Sequence, residues 1–477
     1  MIGPRKTLDA AWDVWRTNRG GVSAITARQQ ARLATLIEFA RARSPFYAKL
    51  YNQLPTHINN LRDLPPVAKP ELMANFDAWV TDSEVTKAGV DTFVADNTLV
   101  GHLYMGRYAV WTTSGTTGEP GIFVHDGDAL AIYIALLMVR GFLAWMTPKH
   151  LGATLRRGGR TATVVATGGH FASTAVRELI RRLGLQSMDD AFSVLTPLPE
   201  LVPALRDFQP AILATYPSAL RLLMQEQVAG RLKIDPVLIG IGGEWLAPMD
   251  RVQAAKTFHC LVRDFYGASE FMGIAFDCGH GWLHVNADWA ILEPVNEAYQ
   301  PVPPGQIAHT VLLTNLANRV QPIIRYDLGD SIIVNPDPCS CGSPLPAIRV
   351  EGRHDEILPL NTTNGEVIQL LPMALTTVIE ETPGVRRFQV IQTAPATLGV
   401  RLEVTPGVDG PQVWETGARR LRDYLSTQGL SSVRVEMALE PPCRDPISGK
   451  FRQVWRDLEA VEHPRKCKEM QLGGKPQ

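Results

Sequence analysis

The spacing of apolar positions gives the first outline of the chain. Residues 23–51 read SAITARQQARLATLIEFARARSPFYAKLY. Apolar side chains recur near a 3.6-residue period, which predicts a helix, and Ser44-Pro45 predicts a break in it. From about residue 100 to 350, short β-rich runs alternate with helical stretches. Thr161–Val165 and Val237–Ile241 read as buried strands, and Ser173–Arg182 and Ser218–Gln227 as helices. Such alternation predicts an α/β architecture with substantial parallel sheet. Past about residue 355 the texture changes. Arg387–Gln392, Gly399–Val404 and Val433–Ala438 read as strands and Trp414–Ser426 as a helix, a compact α+β unit of about 100 residues. The ending HPRKCKEMQLGGKPQ is polar and basic and reads as a mobile tail.

The longest apolar run, Ala129 to Val139, lies between Asp128 and Arg140. It is about half of the roughly 20 residues a bilayer span needs, so a buried helix is expected. The opening MIGPRKTLDAAWDVWRTNRG has no apolar core of a secretory signal. Lys plus Arg total 47 and Asp plus Glu 48 in 477 residues, a net charge of −1. That balance asks for no polyanionic partner, so nucleic acid is not expected as a ligand, nor is a membrane. A hydrophobic share of 45% supports a large core and excludes wholesale disorder. These features predict a cytoplasmic protein.

The sharpest local signal is Thr112-Thr113-Ser114-Gly115-Thr116-Thr117-Gly118-Glu119-Pro120, following the β-rich run Tyr108–Trp111. Small residues let the backbone approach an anion, N–H groups point inward and hydroxyls add donors. The Gly-Lys-Ser/Thr ending of a Walker A loop is absent. Composition alone leaves a plain Ser/Thr/Gly turn between strands equally open.

TTSGTTGEPG resembles the phosphate loop of the adenylate-forming superfamily, which includes acyl-CoA synthetases and peptide-synthetase adenylation domains. The absent lysine after the last Gly-x-Pro resembles its phenylacetate–CoA ligase-like branch, as does ARLATLIEFARARSPFYAKLY at 31–51. Further motifs follow in the family's order. Gly242-Gly243-Glu244 resembles the segment along the adenine. Asp264-Phe265-Tyr266-Gly267-Ala268-Ser269-Glu270 resembles the strand-end motif, and Arg325-Tyr326-Asp327-Leu328-Gly329-Asp330 the ribose motif. Gly352-Arg353-His354-Asp355-Glu356 resembles the hinge, and Pro446-Ile447-Ser448-Gly449-Lys450-Phe451-Arg452 the loop carrying the catalytic lysine.

The resemblance implies a fold and roles. A large N-terminal adenylate-forming domain over 1–352 would precede a small mobile α+β domain over 353–460, hinged near Asp355, and a flexible tail over 461–477. Thr113, Ser114, Gly115, Thr116, Thr117 and Gly118 would hold ATP phosphates. Gly243 and Glu244 would lie along the adenine, Tyr266 would stack on the base, and Gly267 and Ser269 would join the cofactor-binding set. Asp330 and Arg353 would hold the ribose. Glu270 would fix Mg²⁺, a hard cation suited to carboxylate oxygen. Lys450 would bridge the attacking carboxylate and the α-phosphate. The implied reaction joins ATP and a small-molecule carboxylic acid, aromatic by family habit, into an acyl-adenylate, then passes the acyl group to CoA. A homodimer is compatible with the resemblance.

Cys339-Ser340-Cys341-Gly342 is a tight C-x-C, and Cys278 and His284 lie upstream six residues apart. Three thiolates and an imidazole suit a tetrahedral structural Zn²⁺. His280 is an alternative nitrogen ligand, and unrelated buried thiols with a core histidine are the other reading. Cys260, Cys443 and Cys467 read as core or free thiols. Two features depart from the CoA-ligase pattern or leave it open. The segment Leu358–Val367 looks like a hairpin loop and lacks the Arg-Gly-x-Asn that shapes a thiol-acceptor channel. An amine or a carrier-protein thiol is therefore the alternative acceptor. Gly168–Ser173 sits where the family places part of its acid pocket. There His170 faces substrate or is structural, and Ser173 reads as a helix N-cap.

Overall fold

The computed structural model describes residues 4–55, 58, 60–113, 121–167, 169–182, 189–244, 246–351, 357–443 and 452–457. The chain divides into two compact units. One gathers the described residues of 1–113, 121–193 and 199–352, the other those of 194–198 and 353–477.

The larger unit is built around a nine-stranded sheet. Five strands run parallel, in the order Asp189–Ser193, Thr161–Val165, Ile212–Thr215, Leu238–Ile241 and Leu261–Ala268. Ala162, Val164, Leu213, Leu238, Ile239 and Ile241 are buried, as strands covered on both faces require. The sheet continues antiparallel through Phe271–Asp277, Leu283–Val285, Ala347–Glu351 and Ser331–Val334. The parallel half supplies the expected α/β architecture, with helices Leu198–Phe208, Pro217–Val228 and Pro248–Phe258 between strands.

Two smaller antiparallel units belong to the same core. One is the hairpin Ala109–Thr112 with Ile122–His125; the other is the three-stranded sheet Ala290–Val295, Thr310–Asn315, Ile323–Asp327. Helix Gly21–Arg43 ends where expected. Ser44 leaves helical geometry and caps helix Pro45–Leu50, its hydroxyl accepting from the Tyr47 amide at 3.4 Å. Helix Ala172–Arg182 starts one residue before Ser173.

The apolar run near residue 130 is longer than the sequence suggested. Helix Gly127–Leu136 continues through a π-helical turn, Leu137–Phe142, to Leu143–Trp145. Among the described residues this is the one helical stretch long and apolar enough, by length and composition alone, to cross a membrane, and 44% of it is buried. Arg140, the charge that closed the apolar run, does not close the helix. Its guanidinium is buried and pairs with Asp288 at 2.5 Å, and it donates to Asn18 at 2.8 Å and Asn286 at 3.1 Å. A paired, hydrogen-bonded charge is tolerated in a core where a lone one is not.

The smaller unit pairs Leu358–Asn361 with Val367–Leu370 in an antiparallel hairpin, as read for that segment. A four-stranded sheet follows, in the order Arg434–Met437, Thr397–Val404, Val385–Ala394, Val454–Arg456, with helices Pro372–Glu380 and Gly410–Thr427. Val413, Leu421, Tyr424 and Leu425 make the buried stripe of the longer helix, and Asp409 caps it through the Gln412 amide at 3.3 Å. Cys443 is disulfide-bonded, not the thiol expected.

Candidate active site and metal cluster

The carboxyl ends of the central parallel strands bring the motifs to one edge, as open α/β sheets do with ligand sites. Leu238–Ile241 delivers Gly242 and Gly243, and its neighbour Leu261–Ala268 delivers Gly267, Ser269 and Glu270. Gly243 has φ 82°, and a Cβ there would stand 2.9 Å from the Tyr216 ring. Gly267 lies in a bulge, where a Cβ would stand 2.5 Å from the Met272 carbonyl oxygen. Both positions therefore exclude a side chain.

Glu244 is engaged differently from its expected place along the base. Its carboxylate accepts from the Ser218 amide at 2.9 Å and the Ser218 hydroxyl at 2.8 Å, at the start of helix Pro217–Val228. Negative charge at a helix N-terminus is favourable there.

Tyr266, Glu270 and Asp330 converge. The Tyr266 hydroxyl donates to Asp330 Oδ2 at 2.7 Å. Glu270 is buried, and burial is the main influence pushing its carboxyl above the usual range. Lys69 and Tyr326 pull it back and Asp330 pushes it further up. A buried carboxylate flanked by a second acid is a donor set that gains from a cation, so Mg²⁺ fits here.

Thr113 begins the segment expected to hold phosphates, and it pairs with Gly121 on the segment's far side. Its amide donates to the Gly121 carbonyl, and its hydroxyl accepts from the Gly121 amide, both at 2.8 Å. Ser114, Gly115, Thr116, Thr117 and Gly118 lie outside the described residues, as do Arg353, Asp355 and Lys450. Ser269 reaches across to this hairpin, its hydroxyl 3.4 Å from the Thr112 carbonyl oxygen.

Lys69 is the residue that sequence reading missed. Its ammonium lies 3.5 Å from Thr113 Oγ1 and acts on Glu270. Backbone pairing brings it there. The Val67 amide donates to the Arg325 carbonyl at 3.0 Å, and the Asp327 amide donates to the Val67 carbonyl at 2.9 Å. Residue 67 is thereby bridged to the ribose-motif strand, and Lys69 opens the next helix, Lys69–Ala74. The one signal in the sequence is the lysine missing from the loop, which asks for a cation from elsewhere without saying which.

His170 takes the structural side of its two readings. It is buried, its Nε2 is 3.0 Å from the Asp96 carbonyl oxygen, and its ring packs on Phe93 at 5.1 Å.

Cys278, His284, Cys339 and Cys341 form one cluster, with their ligand atoms all within 4.8 Å of one another. Cys278 Sγ and Cys339 Sγ are 3.7 Å apart. Tetrahedral Zn–S bonds of about 2.3 Å put sulfurs about 3.8 Å apart, so the donors fit zinc. His284 Nδ1 donates to the Leu345 carbonyl at 2.8 Å, which leaves Nε2, 3.1 Å from Cys341 Sγ, to bind metal. His280 instead meets Ser340 Oγ at 3.1 Å. The cluster lies at the far end of strand Phe271–Asp277 from Glu270, on the order of 20 Å along the strand.

No family model matches the chain. It is 22% identical over 367 residues to a phenylacetate–coenzyme A ligase from Thermus thermophilus, covering 71% of this chain and 73% of that protein. Among solved structures it is similar to 2-hydroxyisobutyryl-CoA ligase in the thioesterification state in complex with 2-HIB-AMP and CoA. The TM-score there is 0.52 and the identity 22%, over 92% of this chain and 91% of that one. The postadenylation state of that ligase in complex with R3-HIB-AMP gives a TM-score of 0.51 and 21% identity, over 92% and 91%. The chain resembles phenylacetate–CoA ligase in sequence and has the fold of the adenylate-forming acyl-CoA ligases.

Proposed function

We propose that this chain is an AMP-forming ligase that activates a carboxylic acid with ATP and transfers the acyl group to CoA. The observation that carries this reading is the convergence of Thr113, Tyr266, Glu270 and Asp330 with Lys69 at the carboxyl edge of a parallel sheet. The similarity to a phenylacetate–CoA ligase supports it.

In the first half-reaction a carboxylate oxygen attacks the α-phosphorus, the bond to the bridging oxygen breaks, and pyrophosphate leaves. Residues 114–118 would cradle the phosphates. Lys69 would add the cation that the loop lacks, and Asp330, oriented by Tyr266, would accept from the ribose hydroxyls. Mg²⁺, held by Glu270, would neutralise phosphate charge. Lys450 would bridge the two reacting groups, carried by a small domain over 353–460 that pivots near Asp355. In the second half-reaction the thiol sulfur attacks the acyl carbonyl and AMP leaves. Aromatic acids are the first class to test. Zn²⁺ on Cys278, His284, Cys339 and Cys341 would be structural, since four protein donors leave no open position.

One observation favours a second reading, in which an amine or a carrier-protein thiol takes the acyl group. The segment after the hinge is the hairpin Leu358–Asn361 with Val367–Leu370, not an Arg-Gly segment. The test incubates the protein with ATP, Mg²⁺ and a panel of aryl acids, with CoA or hydroxylamine. CoA-dependent AMP release is expected. AMP release that hydroxylamine supports and CoA does not would move the assignment to the second reading. Lys450→Ala should abolish acid-dependent pyrophosphate exchange while sparing transfer from a preformed acyl-adenylate; normal exchange would overturn the lysine's role.

A further inference from the structure

Glu270 stands on a two-residue turn, Ser269-Glu270, between paired strands Leu261–Ala268 and Phe271–Asp277. Both carbonyl oxygens of this turn are held by side chains. The Ser269 oxygen accepts from Trp111 Nε1 at 2.6 Å and lies 3.0 Å from His125 Nε2. The Glu270 oxygen accepts from Asn315 Nδ2 at 2.8 Å. The Tyr133 hydroxyl joins the set, accepting from Asn315 Nδ2 at 2.9 Å and lying 3.1 Å from His125 Nδ1. Trp111, His125, Tyr133 and Asn315 are fully buried.

The protons in this network have one consistent arrangement. Asn315 Oδ1 accepts from the Ala317 and Asn318 amides, at 2.9 and 3.3 Å, which fixes the amide group's orientation. Its Nδ2 then spends one hydrogen on Tyr133 and one on Glu270. Tyr133 accepts there, so its own proton goes to His125 Nδ1. His125 must carry its single proton on Nε2 and donate it to Ser269. Burial holds the imidazole neutral, with its pKa lowered to about 3. The Trp111 and His125 rings stack at 4.1 Å, and the two residues come from the two strands of the hairpin that carries the phosphate loop.

We infer that His125 is a positioning residue for the magnesium site. As the Nε2–H tautomer it locks the Ser269-Glu270 turn, and with it the Glu270 side chain's point of attachment, to the hairpin Ala109–Thr112 with Ile122–His125. This rests on the proposal that Glu270 holds Mg²⁺. The two donors fill both lone pairs of the Ser269 carbonyl, and all three side-chain bonds lie next to the carboxylate assigned to Mg²⁺.

The test titrates ATP into the full chain by calorimetry, with Mg²⁺ and with EDTA, and so needs no knowledge of the acid. His125→Phe keeps a ring against Trp111 and removes both hydrogen bonds. Its affinity for ATP in EDTA should stay within about twofold of wild type, while the gain from Mg²⁺ falls about tenfold. His125→Gln, which restores a donor and an acceptor, should recover most of the gain. An undiminished Mg²⁺ gain in His125→Phe overturns the inference, as does equal loss with and without Mg²⁺. Glu270→Gln separates the two layers. If it keeps the full Mg²⁺ gain, the magnesium role of Glu270 fails first; if it loses the gain and His125→Phe does not, only the positioning role fails. Nitrogen-15 NMR of wild-type histidines needs no variant: the Nε2–H tautomer for His125 supports the inference and the Nδ1–H tautomer overturns it.

Discussion

Asp264 opens the strand-end motif, and its environment gives it a testable titration. Burial, foremost, pushes its carboxyl up to about 7; Arg251 opposes the shift and Asp277 adds to it. The folded chain therefore holds a proton that the unfolded chain releases near pH 4. The stability this confers is complete below about pH 4 and is lost as pH rises through about 7. In Asp264→Asn the side chain is neutral at every pH. The stability of wild type relative to this variant should fall by up to about 1.4 kcal/mol per pH unit across that window. Denaturant unfolding from about pH 5 to 8 checks it, and a pH-independent difference would remove Asp264 from the account. The motif residues were legible because each motif is contiguous in sequence: Tyr266, Glu270 and Asp330 announce themselves by their neighbours. Lys69 and His125 carry no such signature. Lys69 arrives through the backbone bridge between Val67 and the Arg325–Asp327 strand, and His125 through its neighbours in the core.

At the scale of elements, the turn that presents Glu270 depends on a bulge at Gly267. A methyl group there would meet the Met272 carbonyl oxygen at 2.5 Å, and the backbone cannot rotate aside as a side chain would. Gly267→Ala should cost about 2–4 kcal/mol of stability and weaken Mg²⁺-dependent ATP binding more than binding in EDTA. Unchanged unfolding midpoints and unchanged Mg²⁺ gain would show that the bulge relaxes freely. Helices and strands with a clean period, such as Thr161–Val165 and Gly410–Thr427, lie where the sequence placed them within a few residues. The apolar helix beginning at Gly127 runs further than its sequence suggests. Arg140 reads as a stop only until Asp288, Asn286 and Asn18 are packed around it.

At the scale of the molecule, the cysteine–histidine cluster joins segments 61 residues apart, Cys278 and Cys339, at one end of the large sheet. A metal bound there stabilises the folded state by mass action and leaves the unfolded chain without its donors assembled. The purified protein should contain about one equivalent of zinc, and stripping it with a strong chelator should lower the melting temperature by several degrees. Less than a few tenths of an equivalent, with no change in melting on chelation, would count against the site. Chelation should leave ATP affinity much less affected than stability, because the cluster and Glu270 stand at opposite ends of the same strand.

The sequence by itself determined the class of fold, the order of the motifs and the four side chains of the cysteine–histidine cluster. These are properties of short contiguous stretches, whose periodicity and residue types act locally. Tertiary structure decided which distant groups complete them. It turned Glu244 toward a helix N-terminus, packed His170 against Phe93, brought Lys69 to Thr113, and set His125 beneath the Ser269-Glu270 turn. Each of these depends on contacts between residues far apart in the chain. Burial then acts on the assembled groups, holding His125 neutral and pushing the Glu270 carboxyl up. No local pattern encodes that desolvation, because it exists only once the core has closed.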